Sequence, residues 1–466
     1  MIDDESGFDD KIALPKSYLP NDFELTSDFR MAFDLIENTD NSIFITGKAG
    51  TGKSTLIEYF RENTKKKAVF LAPTGVSALN IRGKTIHSFF KFPPQLITSD
   101  AIKDNKYGGD KRNIFKSIDL IVLDEISMVR ADIIQGIDFI LRKYRTYNKP
   151  FGGVQMVLVG DMYQLPPVID SNDKIEITHN GETIFEGSIY HYFERKYKGH
   201  YFFNSDAFKY SSFKYCVLNT IFRQKNDGKF VDILNAIREN KISGEILQQL
   251  NERYFENIEE SENGEIVLCS TNSIANEINK RKMDELSTKA FLYVATLTGV
   301  FEKEIPEKDY PAEKYLILKE NAQVMMVRND SSGRWVNGSI GVVKSLADKK
   351  IEVEINGTIF DVGQETWEAV DYKYDEKKDE LSTNVIGEFM QYPVKLAWAI
   401  TIHKSQGKTF EKTIIDLGNG AFAHGQTYVA LSRCKTLDGI RLKNPIKRKD
   451  VILDNKVVNF ISGMKN

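Results

Sequence analysis

The chain has 466 residues, 41% of them hydrophobic and 28% charged, with a formal net charge of -3. That length exceeds one ordinary core and sets an expectation of about two to four domains. The composition is that of a soluble globular protein, no apolar run nears the ~18 residues of a membrane span, and the near-neutral balance excludes coating of nucleic acid by bulk charge while leaving room for a local basic groove.

The N-terminal "MIDDESGFDD" is acidic and has neither the basic and apolar regions of a signal peptide nor the Arg-rich face of a transit peptide. The chain is therefore expected to stay in the cytoplasm, on the nucleoid if the cell is bacterial, with no membrane partner. Residues 1–24 read as a tail. Cys216, Cys269 and Cys434 are single and far apart, and the six histidines are scattered. Neither a disulfide framework nor a zinc pattern can be drawn.

Next comes "SIFIT" (42–46), a short buried strand, followed by "GKAGTGKST" (47–55) and then "STLIEYFRE" (54–62), a helix. Gly47, Gly50 and Gly52 allow positive φ, which turns backbone N–H groups inward as a nest for an oligophosphate. Ala49, Thr51 and Thr55 complete the loop. Lys53 is placed to reach the β and γ phosphates, and the Ser54 hydroxyl to ligate Mg²⁺, the one metal expected.

"KAVFLAPT" (67–74), "SIDLIVLDEIS" (117–127) and "VQMVLVGD" (154–161) are near-continuous apolar runs ending in polar residues, as parallel strands covered on both faces are. Open α/β sheets bind ligands at such strand ends. In "LDEIS", Asp124 suits Mg²⁺ and Glu125 an attacking water. In "GDMYQLPPV", Gln164 is positioned to sense the γ phosphate.

Further along, "KFVDILNAIRENKISGEILQQLNERYF" (229–255) reads as helices with one buried face and no evident chemistry, and "ENIEESENGE" as a solvated loop. From about 316 to 362 the pattern turns to short alternating strands. There Asn356-Gly357 in "IEVEINGTIFDV" is a strong two-residue hairpin signal.

The ordered series "GKAGTGKST", "APTGVSA", "GKTIHSFF", "LDEIS", "PFGGVQMVLVGDMYQLPPV", "LNTIFRQ", "AITIHKSQGKT" and "YVALSRCK" resembles the motif set of superfamily 1 helicases, and within them the Pif (petite integration frequency) family, related to RecD-like helicases. The run "RKYRTYNKPFGGVQ" (142–155) is similar to the element that sets this family apart. The resemblance spans about residues 25 to 440. It implies an α/β fold with two RecA-like P-loop motor domains, and an ATP- and Mg²⁺-dependent DNA helicase moving 5′ to 3′ on single strands. Forked DNA is the implied substrate, and the free protein is expected to be a monomer.

The layout expected from the resemblance runs as follows: first motor domain 25–204, with a small wedge insertion at about 84–116; second motor domain 205–298 and 396–466; an inserted SH3-like β-barrel at 299–395. The resemblance makes Lys53, Asp124, Glu125 and Gln164 catalytic. It also makes Arg223 and Arg433 the arginines that the second domain presents across the cleft, where a guanidinium neutralises charge developing on the transferred phosphoryl group. A glutamine that such helicases place ahead of the loop to read adenine is missing; "LTSDFRMAF" has Phe29 and Arg30 there.

For nucleic acid, Thr74, His87, Thr401, His403 and Lys404 are candidate phosphate contacts that read no sequence. Phe89 suits a stacking platform or the core equally. "YHYFERKYKGHYFF" (190–203) mixes basic and aromatic residues, as nucleic-acid surfaces and amphipathic strands both do. A translocase that remodels nucleoprotein, or one that acts on RNA, fits the same motifs. A non-catalytic clamp does not, since Lys53, Glu125 and Arg433 are all present.

Overall fold

The computed structural model describes residues 19, 23–103, 105–169, 173–179, 182–224, 227–256 and 264–464. The expected tail (1–24) and the acidic loop "ENIEESENGE" lie mostly outside the described residues.

Six parallel strands form the first sheet, in the spatial order Lys84–Thr85, Ala68–Ala72, Leu120–Leu123, Gln155–Gly160, Ser42–Gly47, Phe213–Leu218. Every residue of Leu120–Leu123 and Gln155–Gly160 is buried, which is why these segments read as unbroken apolar runs. The strand side chains divide by parity. Ile43, Ile45, Val122 and Val157 pack toward helices Ser27–Glu37 and Lys53–Asn63, while Phe44, Ile121, Leu123 and Leu158 join Ile133, Ile134 and Ile137 of helix Ala131–Tyr144. Period-two alternation makes one strand serve two cores.

A second parallel sheet has the order Ala399–Thr401, Ile266–Cys269, Thr413–Asp416, Ile440–Leu442. These two sheets are the α/β motor units expected from the motifs, and their strand ends carry the candidate residues.

Three boundaries differ from expectation. Phe213–Leu218 pairs in parallel with Ser42–Gly47, so the first sheet runs past residue 204. Its burial is mixed, with Lys214, Tyr215 and Val217 exposed as on an edge strand, which hides its partner from a sequence reading. The C-terminal helix Asn455–Gly463 also returns to the first unit, where Phe460 stacks on Phe203 with ring centroids 4.2 Å apart. The inserted β region begins earlier than residue 299, with Ala290–Val294 pairing with Tyr315–Lys319.

Within that region Lys350–Ile355 and Thr358–Val362 form the expected hairpin, with Asn356 and Gly357 at φ 51° and 80°. Positive φ at both central residues matches the right-handed strand twist, and Asn-Gly tolerates it best. The strands Thr358–Val362, Lys350–Ile355, Ile340–Ala347, Gln323–Met326 and Val394–Leu396 make an open five-stranded sheet. Among the described residues the pairings do not close into the expected barrel. A long hairpin, Glu365–Asp375 with Glu380–Gln391, reaches the first unit. Its Tyr372 hydroxyl accepts from the Phe70 N–H at 2.8 Å, and Lys84 bonds Asp371 at 2.7 Å.

Residues 84–116 are mainly short helices, and Phe90, Phe92, Ile97, Ile102 and Phe115 are buried in the first unit's core. None of the large exposed apolar side chains falls in this stretch.

Candidate active site

Strand Ser42–Gly47 delivers the loop and helix Lys53–Asn63 leaves it, so the first-turn N–H groups face the phosphate position. Gly50 and Gly52 have φ of 81° and 77°. A Cβ on Gly50 would lie 2.5 Å from Arg223 Cβ, and one on Gly52 would lie 2.8 Å from Phe29 Cζ. Glycine is needed there for both conformation and space. Lys53 Nζ donates to the carbonyls of Gly47 and Lys48 at 2.8 and 3.0 Å. Burial pulls its pKa down, while the carboxylates of Asp161 and Glu125 pull it up.

Asp124 and Glu125 leave the end of Leu120–Leu123. Glu125 has φ 50°, a left-handed conformation rare outside glycine, and its N–H donates to Asp124 Oδ1 at 2.9 Å. Such a strained residue at a strand end points to function. Burial raises both carboxyl pKa values, and Glu125 raises that of Asp124 further. A divalent cation would relieve this crowding. Asp124 and the exposed Ser54 hydroxyl, in the first turn of helix Lys53–Asn63, are hard oxygen donors, and Mg²⁺ needs few protein ligands when phosphates supply the rest. No group of three or more His, Cys, Asp or Glu placed to hold a metal occurs among the described residues.

The second unit supplies the opposing wall. Arg433 is only 2% exposed, with Nε donating to the Val429 carbonyl at 3.0 Å and Nη2 to Ser432 Oγ at 2.9 Å. Arg223 Nη1 donates to the Ser432 carbonyl at 3.1 Å, and the Phe222 N–H donates to the Gly50 carbonyl at 2.8 Å. Burial lowers both arginine pKa values; Glu125 and Asp161 counter this at Arg433. The loop, the carboxylates and both arginines thus share one cleft. Gln164 is buried beside it, and Gly425 of the second unit presses on its backbone: a Cβ at Gly425 would lie 2.8 Å from the Gln164 carbonyl oxygen.

The sequence reading missed Asp161, Arg238 and Tyr428. Arg238 lies in a helix taken to carry no chemistry, yet its Nη2 bonds Asp161 Oδ1 at 3.0 Å. "GDMYQLPPV" and "YVALSRCK" contained the other two, but only tertiary contact shows their roles. At the adenine position Arg30 is exposed, and Phe29 is buried against Phe23 and Phe222 with centroids 6.1 and 6.0 Å away. A phenyl ring there has no donor with which to read a base.

The nucleic-acid candidates lie at strand carboxyl ends of both sheets. Thr74 caps helix Gly75–Asn80, accepting from the Ser77 N–H at 3.2 Å. His87 is half-buried, and burial lowers its pKa. Thr401 is buried and accepts from the Lys404 N–H at 3.2 Å, His403 is half-buried and Lys404 exposed. Phe89 is a correction: its ring is fully buried, edge-on to Phe90, Phe115 and Tyr372 at 4.9, 5.8 and 5.8 Å. It has no face free for a base. Phe89→Ala is expected to lower unfolding stability by about 3–5 kcal/mol, read by denaturant melts, with DNA affinity unchanged where the variant is folded. Residues 190–203 are not the strand expected as the alternative: helix Ile189–Tyr197 and a 3-10 turn at Phe202–Asn204 bury Phe193, Tyr197, Tyr201, Phe202 and Phe203, so the aromatic residues serve the core.

A family model described as PIF1-like helicase matches residues 24–189. The ATP-dependent DNA helicase Pif1 of Bdellovibrio bacteriovorus is 31% identical over 448 residues, covering 94% of this chain and 92% of its own. The human ATP-dependent DNA helicase PIF1 is also 31% identical, over 91% of this chain but 61% of its longer sequence. The crystal structure of a Bacteroides sp. Pif1 with ADP-AlF4 superposes with a TM-score of 0.84 at 35% identity, covering 95% and 98% of the two chains. Bacteroides Pif1 bound to single-stranded DNA gives 0.66 over the same coverage. A likeness that runs through both sheets and the cleft between them, at this identity, places the chain in the PIF1-like helicase family as an ATP-dependent DNA helicase.

Proposed function

We propose that the chain uses ATP hydrolysis to move 5′ to 3′ along single-stranded DNA and to open duplex ahead of it. The observation that carries this is one cleft built from two sheets: loop and carboxylates on one side, Arg223 and Arg433 on the other. Such a site turns over only when both halves close, and a strand lying across both sets of strand ends favours closure. Lys53 and the loop N–H groups hold the phosphates, Ser54 and Asp124 hold Mg²⁺, Glu125 takes the proton of the attacking water, and Gln164 faces the terminal phosphate. Mg²⁺ held by Ser54 and Asp124 would supply positive charge to offset that of the phosphates. The two arginines neutralise charge developing on the transferred group.

Thr74, His87, Thr401, His403 and Lys404 serve as the strand track. The motor units are residues 25 to about 218 and about 219–289 with 396–450, joined by an inserted β module from about 290 to 395. The free protein works as a monomer in the compartment that holds the DNA. No helix among the described residues is long and apolar enough to cross a membrane.

The test is ATPase turnover with and without single strands, together with unwinding of tailed duplexes. Turnover is expected to rise severalfold with DNA, and a duplex with a 5′ tail to open while one with only a 3′ tail does not. Affinity for the tail should fall linearly in log–log form as salt rises, since phosphate contacts release counterions. Equal turnover without nucleic acid would end the motor reading; the reverse tail preference would end the polarity.

A further inference from the structure

Asp161 follows strand Gln155–Gly160 of the first unit, and groups of the second unit converge on it. Its Oδ1 accepts from Arg238 Nη2 at 3.0 Å and from the Tyr163 N–H at 3.2 Å. Its Oδ2 lies 3.3 Å from the Tyr428 hydroxyl. Arg238 also lies over the Tyr163 ring, 4.1 Å from its centroid. Tyr428 reaches further, because its oxygen accepts the N–H of Ala49 in the nucleotide loop at 2.9 Å.

Chemistry settles the direction of these bonds. Burial opposes charge on Asp161, but Arg238 and Lys53 outweigh it and hold its carboxyl below the ordinary range. It is therefore a carboxylate that only accepts. Tyr428, its pKa raised by burial and then by Asp161, keeps its proton and donates it there. A phenol oxygen so engaged still has a lone pair for Ala49. Tyr428 belongs to helix Gln426–Leu431, and Arg433 is anchored on the same segment through the Val429 carbonyl. The position of Tyr428 therefore fixes how Arg433 approaches the loop.

We infer that Asp161, Arg238 and Tyr428 form an interlock between the two motor halves, which aligns the nucleotide loop with the arginine-bearing segment and thereby sets the rate of hydrolysis. Tyr428 is a positioning residue: it touches the loop backbone and orients Arg433. A hydroxyl that only stabilised the fold would affect nucleotide binding and turnover together. One that aligns the closed cleft affects turnover selectively.

The interlock rests on the motor reading above. Its test uses the full chain as parent, Tyr428→Phe, Asp161→Asn and the double variant, with labelled-nucleotide binding measured without DNA and turnover at saturating ATP and single strands. Tyr428→Phe is expected to lose on the order of tenfold in kcat, while KM for ATP and nucleotide affinity stay within about threefold. The double variant should be no slower than Asp161→Asn, because both changes break one network. Where Asp161→Asn melts early, Arg238→Lys takes its place in the cycle. Turnover of Tyr428→Phe within about twofold of the parent, multiplicative losses in the double variant, or an equal loss of nucleotide affinity would each overturn the interlock. A parent that DNA fails to stimulate would instead sink the motor reading, so the two failures are told apart.

Discussion

Lys53→Ala is expected to bind nucleotide weakly and to lose turnover by on the order of 10³-fold or more. Lys53 Nζ closes the loop on the Gly47 and Lys48 carbonyls at 2.8 and 3.0 Å, between the carboxylates of Asp161 and Glu125. Alanine removes that cation, leaves both carbonyls without their donor and leaves buried Asp161 and half-buried Glu125 less compensated. Phosphates entering such a site meet weaker attraction. Glu125→Gln separates binding from chemistry. The amide keeps the shape but cannot take the proton of water, so nucleotide affinity should persist while turnover falls about 10²- to 10⁴-fold. Equilibrium binding of a labelled nucleotide and DNA-stimulated turnover read both variants. A Glu125→Gln chain as fast as its parent would move the general base elsewhere.

The motor architecture was legible wherever burial made the sequence monotonous. Strands 42–46, 67–74, 117–127 and 154–161 stand out because both faces are covered, which demands apolar residues at successive positions. The hairpin at Asn356-Gly357 was legible for a different reason: two adjacent positive φ angles restrict residue choice locally. Each of these signals is complete within about ten residues.

Features that depend on distant partners were not legible. Phe213–Leu218 mixes buried and exposed residues as an edge strand does, and nothing in it names Ser42–Gly47 as its neighbour. Phe89 lies in a run that suits a stacking surface, and only Phe90, Phe115 and Tyr372 closing around it decide for the core. Arg238 ends a helix whose apolar spacing accounts for Phe230, Ile233, Leu234 and Ile237; its role appears when Asp161, 77 residues earlier, takes its guanidinium. Charged residues in clefts are read from their partners, and partners are set by tertiary structure.

Arg433→Ala carries the two-unit mechanism. Arg433 is fully enclosed, held by the Val429 carbonyl and Ser432 Oγ, and the carboxylates of Glu125 and Asp161 help to offset the cost of burying its charge. It therefore shares the cleft with Glu125, the carboxylate proposed to activate water, but comes from the opposite unit, as a group that acts in the transition state is expected to. Its removal should cost on the order of 10³-fold or more in turnover while ground-state nucleotide affinity changes much less. Because alanine also leaves a cavity and unpaired carbonyls, Arg433→Lys is the needed companion. Lysine keeps the charge but lacks the planar fork, so it should fold like the parent and still lose most turnover. Nucleotide binding, turnover and melting temperature of the two variants distinguish loss of chemistry from loss of fold. Near-parental turnover in Arg433→Ala would place this arginine outside the chemistry and remove the reason for hydrolysis to await closure of the two halves.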